Sequence, residues 1–198
     1  MKKVIIYYIS TLLFFQTSLF AYSSDPKEFI TELVNDVIST LSNKDLNKEE
    51  KSNFIKKVAL DNVDINALGL YTLGELRKSS DEKNIFDYQE SFEKYFLKSL
   101  TSRLSDYSSS EFKVLNVDKK SSNYTIVNSA ISPDNGNPKI KIDWRIYTKN
   151  PNKPLIRDLI VEGLSLARTQ KEEFASILDS NNNDIKILIS ELEKFVNN

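Results

Sequence analysis

The sequence predicts an α+β fold in which helices precede and follow a curved, four-stranded antiparallel sheet. The first observation is the helical recurrence of apolar residues through residues 25–107 and again through residues 168–196. The second is a switch to strand-like patterning over residues 111–161. The third is the Asn, Asp, Gly and Pro content of the short links between those strands, which is typical of turns. Short links imply an antiparallel meander, and helices segregated from strands define the α+β class.

Capping signals mark the start of the predicted helices. Asp25 stands at an N-cap position, Pro26 at the first helical position, and Glu28 at the spacing of a capping box. A later apolar stripe that repeats every four residues, from Phe92 to Leu104, is typical of a helix face that packs in a core. Helices are predicted over residues 25–41, 47–60, 63–80 (two short pieces), 81–107, 169–178 and 184–196.

Four segments between the helices have the composition of strands: EFKVLNV, NYTIVNSAIS, PKIKIDWRIYT and KPLIRDLIVEG. In the third segment, apolar residues at positions 140, 142, 144 and 146 alternate with charged residues at positions 139, 141, 143 and 145. One face of the sheet is therefore buried or lines a cavity, and the other meets water. A curved sheet beneath helices can be packed solidly or can enclose an apolar pocket, and this pattern leaves both possibilities open.

The stretch GLSLA, residues 163–167, follows the last strand and precedes a helix, as the nucleophile of a hydrolase does. The chain has no His to activate Ser165, and Ala167 stands where the nucleophile elbow needs a second Gly. A Ser–Lys pair stays possible in principle, but a structural corner explains the stretch better. Gly163 allows the sharp turn, Ser165 caps the following helix, and Glu162 reaches backbone N–H groups or a cation there.

Composition excludes several other kinds of site. With no Cys and no His, the chain has no thiol chemistry, no disulfides and none of the common zinc sites. The run DSNNND, residues 179–184, lacks the Gly and the closing Glu of an EF-hand loop and predicts a turn between two helices. No metal site is predicted. The chain also lacks a basic patch, so no nucleic-acid partner is expected.

The first 21 residues are predicted to be a signal peptide. MKK is a basic start, VIIYYISTLLFF an apolar core, and QTSLFA a cleavage stretch that ends at Ala21. An uncleaved membrane anchor is the alternative, but the apolar core is short for a span of about 20 residues. Residues 22–198 would form one domain with a net charge of −3, since the leader carries two of the 27 basic residues and no acidic one. The expected location is the periplasm.

The late segment RDLIVEGLSLARTQKEEFASIL resembles a motif of the periplasmic phospholipid-binding component of the Mla lipid-transport system, also called the toluene-tolerance Ttg2 family. The residues that match this motif are Asp158, Val161, Glu162, Gly163, Ser165, Leu166, Phe174 and Ile177. An earlier block, VDINALGLYTLGELRKSS, is similar to a second family segment through Asp64, Leu73, Gly74 and Arg77. The sequence departs from the family pattern at Leu76, Pro154 and Arg157.

The resemblance implies a non-enzymatic phospholipid carrier that contributes to outer-membrane lipid asymmetry. Its acyl chains would lie between the sheet and the helices, and the bound phospholipid would be cargo, with no cofactor. The implied partners are an inner-membrane ABC transporter complex with an MCE-domain protein, and an outer-membrane lipoprotein–porin complex. The residues expected to line the lipid pocket are Leu70, Leu73, Leu76, Tyr95, Leu100, Leu104, Ile126, Ile142, Trp144, Ile146, Leu159 and Val161.

Two other functions compete with the carrier. Small isomerases and dehydratases with an NTF2-like or cystatin-like sheet also build an apolar pocket beneath helices, and Asp143 or Asp158 could serve as a base in such an enzyme. Asp143, however, alternates onto the Lys/Arg face of its strand, which favours a solvated ion pair. The third possibility is a periplasmic adaptor without a ligand.

Overall fold

The computed structural model describes residues 22–104, 110–133 and 138–198, in which helices flank a sheet as predicted. The predicted signal peptide, the last residues of the predicted 81–107 helix and most of the PDNGNP turn lie outside the described residues. The helices are α1 Pro26–Ser42, α2 Lys48–Asn62, α3 Ile65–Thr72, α4 Leu76–Ser79, α5 Glu82–Leu104, α6 Leu166–Asp179 and α7 Ile185–Asn197. The strands are β1 Ser110–Ser121, β2 Tyr124–Pro133, β3 Ile140–Tyr147, β4 Leu155–Val161 and β5 Leu164–Ser165.

The helices begin where the capping signals are. The Asp25 carboxylate accepts hydrogen bonds from the backbone N–H groups of Lys27 and Glu28 at the start of α1. At the start of α2, Asn47 and Glu50 form a complete capping box, in which each side chain accepts from the backbone of the other residue. Such caps satisfy backbone donors that have no partner within the helix, and each contributes about 1 kcal/mol.

The sheet is an antiparallel meander in the order β1-β2-β3-β4-β5, and it therefore has five strands where the sequence predicted four. The additional strand, β5, pairs with the end of β4 through Ile160↔Ser165 and Val161↔Leu164. Glu162 and Gly163 both have positive φ, of 49° and 84°, which reverses the chain within two residues. The prediction missed this hairpin because its turn is Glu-Gly, which is not one of the usual Asn-Gly or Asp-Gly signals.

The register of the central strands decides which residues face the helices. Residues directly opposite each other share a face, and Val127 lies opposite Trp144 while Ser129 lies opposite Ile142. The indole N–H of Trp144 donates to the Ser129 hydroxyl at 2.9 Å. The inward face of β2 therefore carries its odd-numbered residues, and the alternation predicted for β3 is confirmed.

The segment between α2 and α3 runs along β4. Val63 forms a parallel bridge with Ile156, and the N–H of Asp64 donates to the Ile156 carbonyl at 2.9 Å. This pairing covers part of the β4 edge that β3 does not occupy, and it anchors the N-terminal helices to the sheet.

Two clusters of buried side chains hold the layers together. One joins α3, α5, α6 and α7, where Tyr88 and Phe92 meet the Phe174 ring edge-on at centroid distances of 6.5 and 6.2 Å. The other joins α1 to the sheet through residues such as Ile30 and Ile146, which are fully buried. Burial of each such side chain contributes about 1.5–3 kcal/mol. Between the two clusters, the helices and the sheet do not fill the space completely.

Among the described residues, no helix is long and apolar enough to cross a membrane.

Candidate ligand-binding cavity

A cavity of about 480 Å³ lies between the inward face of the sheet and the helices that cover it. Helices α1, α2 and α5 supply about half of its lining, with apolar side chains from Leu33, Val34, Val37, Ile38, Leu41, Ile55, Val58, Ala59, Phe92, Tyr95, Phe96, Leu100 and Leu104. The sheet supplies a second apolar surface, through Ile131, Ile140, Ile142, Trp144, Ile156, Leu159 and Val161. A volume of this size falls within the usual range of small-molecule sites.

The cavity forms because amphipathic stripes meet the sheet without filling the space between them. On α1, Leu33, Val37 and Leu41 follow one another at four-residue spacing, so they share one face of the helix. On α5, Phe92, Phe96 and Leu100 have the same spacing and line the same cavity. The inward residues of β3 complete the wall.

Of the twelve residues expected to line a lipid pocket, seven line this cavity. They are Tyr95, Leu100, Leu104, Ile142, Trp144, Leu159 and Val161. They come from α5, β3 and β4. Their role in binding a lipid is taken up below.

The other five expected residues do not line the cavity. Ile126 lies opposite Arg145, so it faces the outer side of the sheet. Ile146 is on the inward face but is fully buried in the cluster between α1 and the sheet. Leu73 and Leu76 pack in the helical cluster around Phe92, and Leu70 lies half-buried on α3. The sequence could not separate these residues from the cavity wall, because core and cavity positions share the same periodicity.

The sequence prediction missed the contribution of α1 and α2. Their apolar stripes were evident, but a stripe indicates only that a helix packs against something. That Val37 and Val58 face an open volume depends on how the two helices are placed over the sheet, which no local pattern encodes.

Four charged residues line the cavity, and two of them are engaged within the protein. Arg157 forms an ion pair with Asp64 at 2.7 Å, and its guanidinium lies 3.5 Å from the centroid of the Tyr147 ring. Asp158 accepts from Arg145 at 3.2 Å. The remaining two, Arg103 and Glu173, are exposed and mark the side on which the cavity meets solvent.

Asp158 is the centre of the corner that the GLSLA stretch forms. Its side chain accepts from the Ser165 hydroxyl at 2.6 Å and from the Ala167 N–H at 3.0 Å. The Ser165 oxygen in turn accepts from the Arg168 N–H at 3.1 Å and so caps α6. Both Asp158 and Ser165 are buried. The carboxylate therefore ties β4, β5 and the start of α6 together.

Glu162 and Gly163 complete this corner. The Glu162 carboxylate accepts from the backbone N–H of Lys141 on the neighbouring strand, and the Glu162 N–H donates to the Lys141 carbonyl at 3.0 Å. Gly163 has φ of 84°, which a residue with a side chain adopts only with strain. In this arrangement the Ser165 hydroxyl donates to the Asp158 carboxylate, and its oxygen accepts from the first turn of α6. These are the contacts of a structural junction.

The chemistry of the site is that of an apolar container. Tyr95 donates from its hydroxyl to Gln170 at 3.0 Å, and burial raises the pKa of this phenol, with a further increase from the negative charge of Glu173. Within residues 22–104, 110–133 and 138–198, no group of three or more acidic side chains is arranged to hold a metal ion. The wall therefore suits a hydrophobic ligand whose polar end stays near solvent.

The fold and the cavity define the class of this protein. It is an α+β protein in which helices cover an antiparallel sheet, with an apolar cavity between the two layers that can hold a ligand. The family model described as MlaC protein matches residues 31–194, and the chain therefore belongs to the MlaC family. The resemblance seen in the sequence is confirmed.

A solved structure with the same fold comes from Ralstonia solanacearum and is described as a phospholipid-binding protein in complex with a phospholipid. It is 18% identical to the present chain and superposes with a TM-score of 0.69. The alignment covers 84% of the present chain and 94% of the Ralstonia chain. At this identity the likeness establishes the fold. Among curated proteins, none matches the sequence.

Proposed function

We propose that this protein is a non-enzymatic phospholipid carrier of the periplasm. The observation that carries the proposal is the apolar cavity of about 480 Å³ between the sheet and the helices, in a chain that belongs to the MlaC family. The phospholipid held by the Ralstonia protein of the same fold supports it. Residues 1–21 would direct export and would be removed.

Acyl-chain burial supplies the affinity in this proposal. Each buried CH₂ contributes about 0.8 kcal/mol, so about ten buried methylenes contribute roughly 8 kcal/mol before the cost of association is subtracted. Such binding needs no polar contact along the chain. The seven predicted residues that line the cavity, together with the stripes of α1 and α2, would contact the acyl chains.

The proposed role is to shuttle lipid between two membrane-bound assemblies. In the family resemblance these are an inner-membrane ABC transporter complex with an MCE-domain protein and an outer-membrane lipoprotein–porin complex. A water-filled space is unfavourable for an acyl chain, so a carrier that encloses the chain removes the main barrier to its transfer.

Lipid extraction tests the proposal. Protein purified from a bacterial host should contain phospholipid when it is extracted and quantified by mass spectrometry. Ile142→Asp should remove this lipid, because an unpaired carboxylate in an apolar wall costs several kcal/mol against a bound acyl chain. The same variant should stay folded, since the empty cavity can admit water.

Two matched variants make the result specific. Ile146→Asp puts the same charge four residues further along β3, in a fully buried position that does not line the cavity, and should unfold the protein. Lys113→Asp adds a carboxylate at an exposed position on β1 and should change neither lipid content nor melting. Full lipid retention in a folded Ile142→Asp protein would refute lipid binding in this cavity. Lipid-free wild-type protein would favour the adaptor, and turnover that depends on one carboxylate would favour the enzyme.

A further inference from the structure

The polar end of the cavity carries two opposite charges that form no ion pair within the described residues. Of the four charged residues that line the cavity, Arg157 is paired with Asp64, and Asp158 with Arg145. Arg103 and Glu173 form no ion pair with any residue in the described parts of the chain, nor with each other. Since both line an apolar cavity at exposed positions, they stand where the polar end of a bound ligand would emerge.

The two charges flank the same tyrosine. Arg103 lies two turns after Tyr95 on α5, and Glu173 lines the same cavity from α6. Both affect the pKa of the Tyr95 hydroxyl, which the negative charge of Glu173 raises and the positive charge of Arg103 lowers. Glu173 is held in place by Gln170, whose amide donates to the carboxylate at 2.9 Å while its oxygen accepts from Tyr95.

We propose that Arg103 binds the phosphate of the bound phospholipid and that Glu173 binds the ammonium of its headgroup, so that the carrier prefers zwitterionic, amine-bearing phospholipids. This inference rests on the proposed function and adds a headgroup preference to it. A guanidinium matches the two free oxygens of a phosphodiester through parallel N–H donors. A carboxylate attracts a primary ammonium, and a headgroup without a positive charge gains no such attraction.

The electrostatics explain why one class of lipid is favoured. An anionic phospholipid offers its phosphate to Arg103 but brings no positive charge to Glu173. A zwitterionic phospholipid satisfies both residues, because its ammonium is separated from the phosphate by only two carbons. Both side chains are exposed, so the preference is set by screened interactions and should amount to about two- to fivefold in binding.

A competition experiment tests the preference. Lipid-free protein is incubated with vesicles of equal parts phosphatidylethanolamine and phosphatidylglycerol, reisolated, and its lipid is extracted and quantified. Wild-type protein should be enriched in phosphatidylethanolamine by about two- to fivefold. Glu173→Gln should bring the ratio close to one by lowering the uptake of phosphatidylethanolamine. Arg103→Gln should lower the uptake of both lipids, because both present a phosphate.

Control variants on α6, the helix that carries Glu173, separate this effect from a general effect of surface charge. Arg168→Gln and Glu172→Gln remove one charge of each sign at exposed positions of α6 that do not line the cavity, and should preserve the wild-type ratio. Equal uptake of the two lipids by wild-type protein, or a ratio that Glu173→Gln does not change, would overturn the headgroup proposal while leaving the carrier intact. Failure of the wild type to take up any lipid would overturn both.

Discussion

Replacement of Asp158 by asparagine tests whether the strand-to-helix corner is a structural junction. The wild-type carboxylate is buried and accepts three hydrogen bonds, from the Ser165 hydroxyl, the Ala167 N–H and Arg145. Asparagine has nearly the same shape but only one acceptor oxygen. Whichever way its amide is turned, the NH₂ group faces at least one donor that the carboxylate had satisfied.

The expected loss follows from these contacts. One buried donor without an acceptor costs about 1–3 kcal/mol. The ion pair adds at most about 1 kcal/mol, because the Arg145 side chain is 40% exposed and its charge is screened. Together these give about 1–4 kcal/mol, which corresponds to a melting temperature lower by roughly 2–16 °C for a domain of this size.

Thermal unfolding followed by circular dichroism measures this loss. Asp143→Asn is the control, because Asp143 is half-buried on β3, as Arg145 is, and among the described residues its side chain accepts only from the Asn128 side chain, at 2.7 Å. It should lower the melting temperature by much less than Asp158→Asn. If the two variants melt within about 2 °C of each other, the corner does not depend on Asp158. A normal melting temperature with loss of an enzymatic turnover would instead identify Asp158 as a base.

The remaining predictions concern the corner, a helix contact and the N-terminus. Ser165→Ala removes the α6 cap and a donor to Asp158, so it should lower the free energy of unfolding by about 1–2 kcal/mol in a denaturant titration. Lipid binding should stay within severalfold of the wild type. Labelling of Ser165 by a fluorophosphonate would instead support a serine hydrolase. Gly69→Ala would put a Cβ 2.9 Å from Cδ1 of Phe92. This overpacking should outweigh the gain in helix propensity and lower the free energy of unfolding by about 1–2 kcal/mol. An unchanged melting temperature would show that the Phe92 ring can move aside. N-terminal sequencing of protein recovered from the periplasm should begin near Tyr22, and an intact Met1 in the membrane fraction would contradict export with cleavage.

The sequence alone determined the helices and strands, and it excluded the chemistry that needs His or Cys. Caps such as Asp25 and Asn47 act within three residues of the helix start, so a short stretch encodes each boundary. The alternation around Trp144 encodes a two-faced strand in the same way. A chain without His or Cys also cannot build an imidazole-activated nucleophile or a thiolate site, whatever its fold.

Only the tertiary structure decided which apolar residues surround open space. In β2 both alternating sets contain apolar residues, and pairing with β3 turned Val127 inward and Ile126 outward. The hydrogen bond between Tyr95 and Gln170 joins residues 75 positions apart, and it fixes α6 beside the opening of the cavity. A cavity is the volume left when distant segments pack imperfectly, and that volume depends on their relative placement, which no periodicity within a single segment contains.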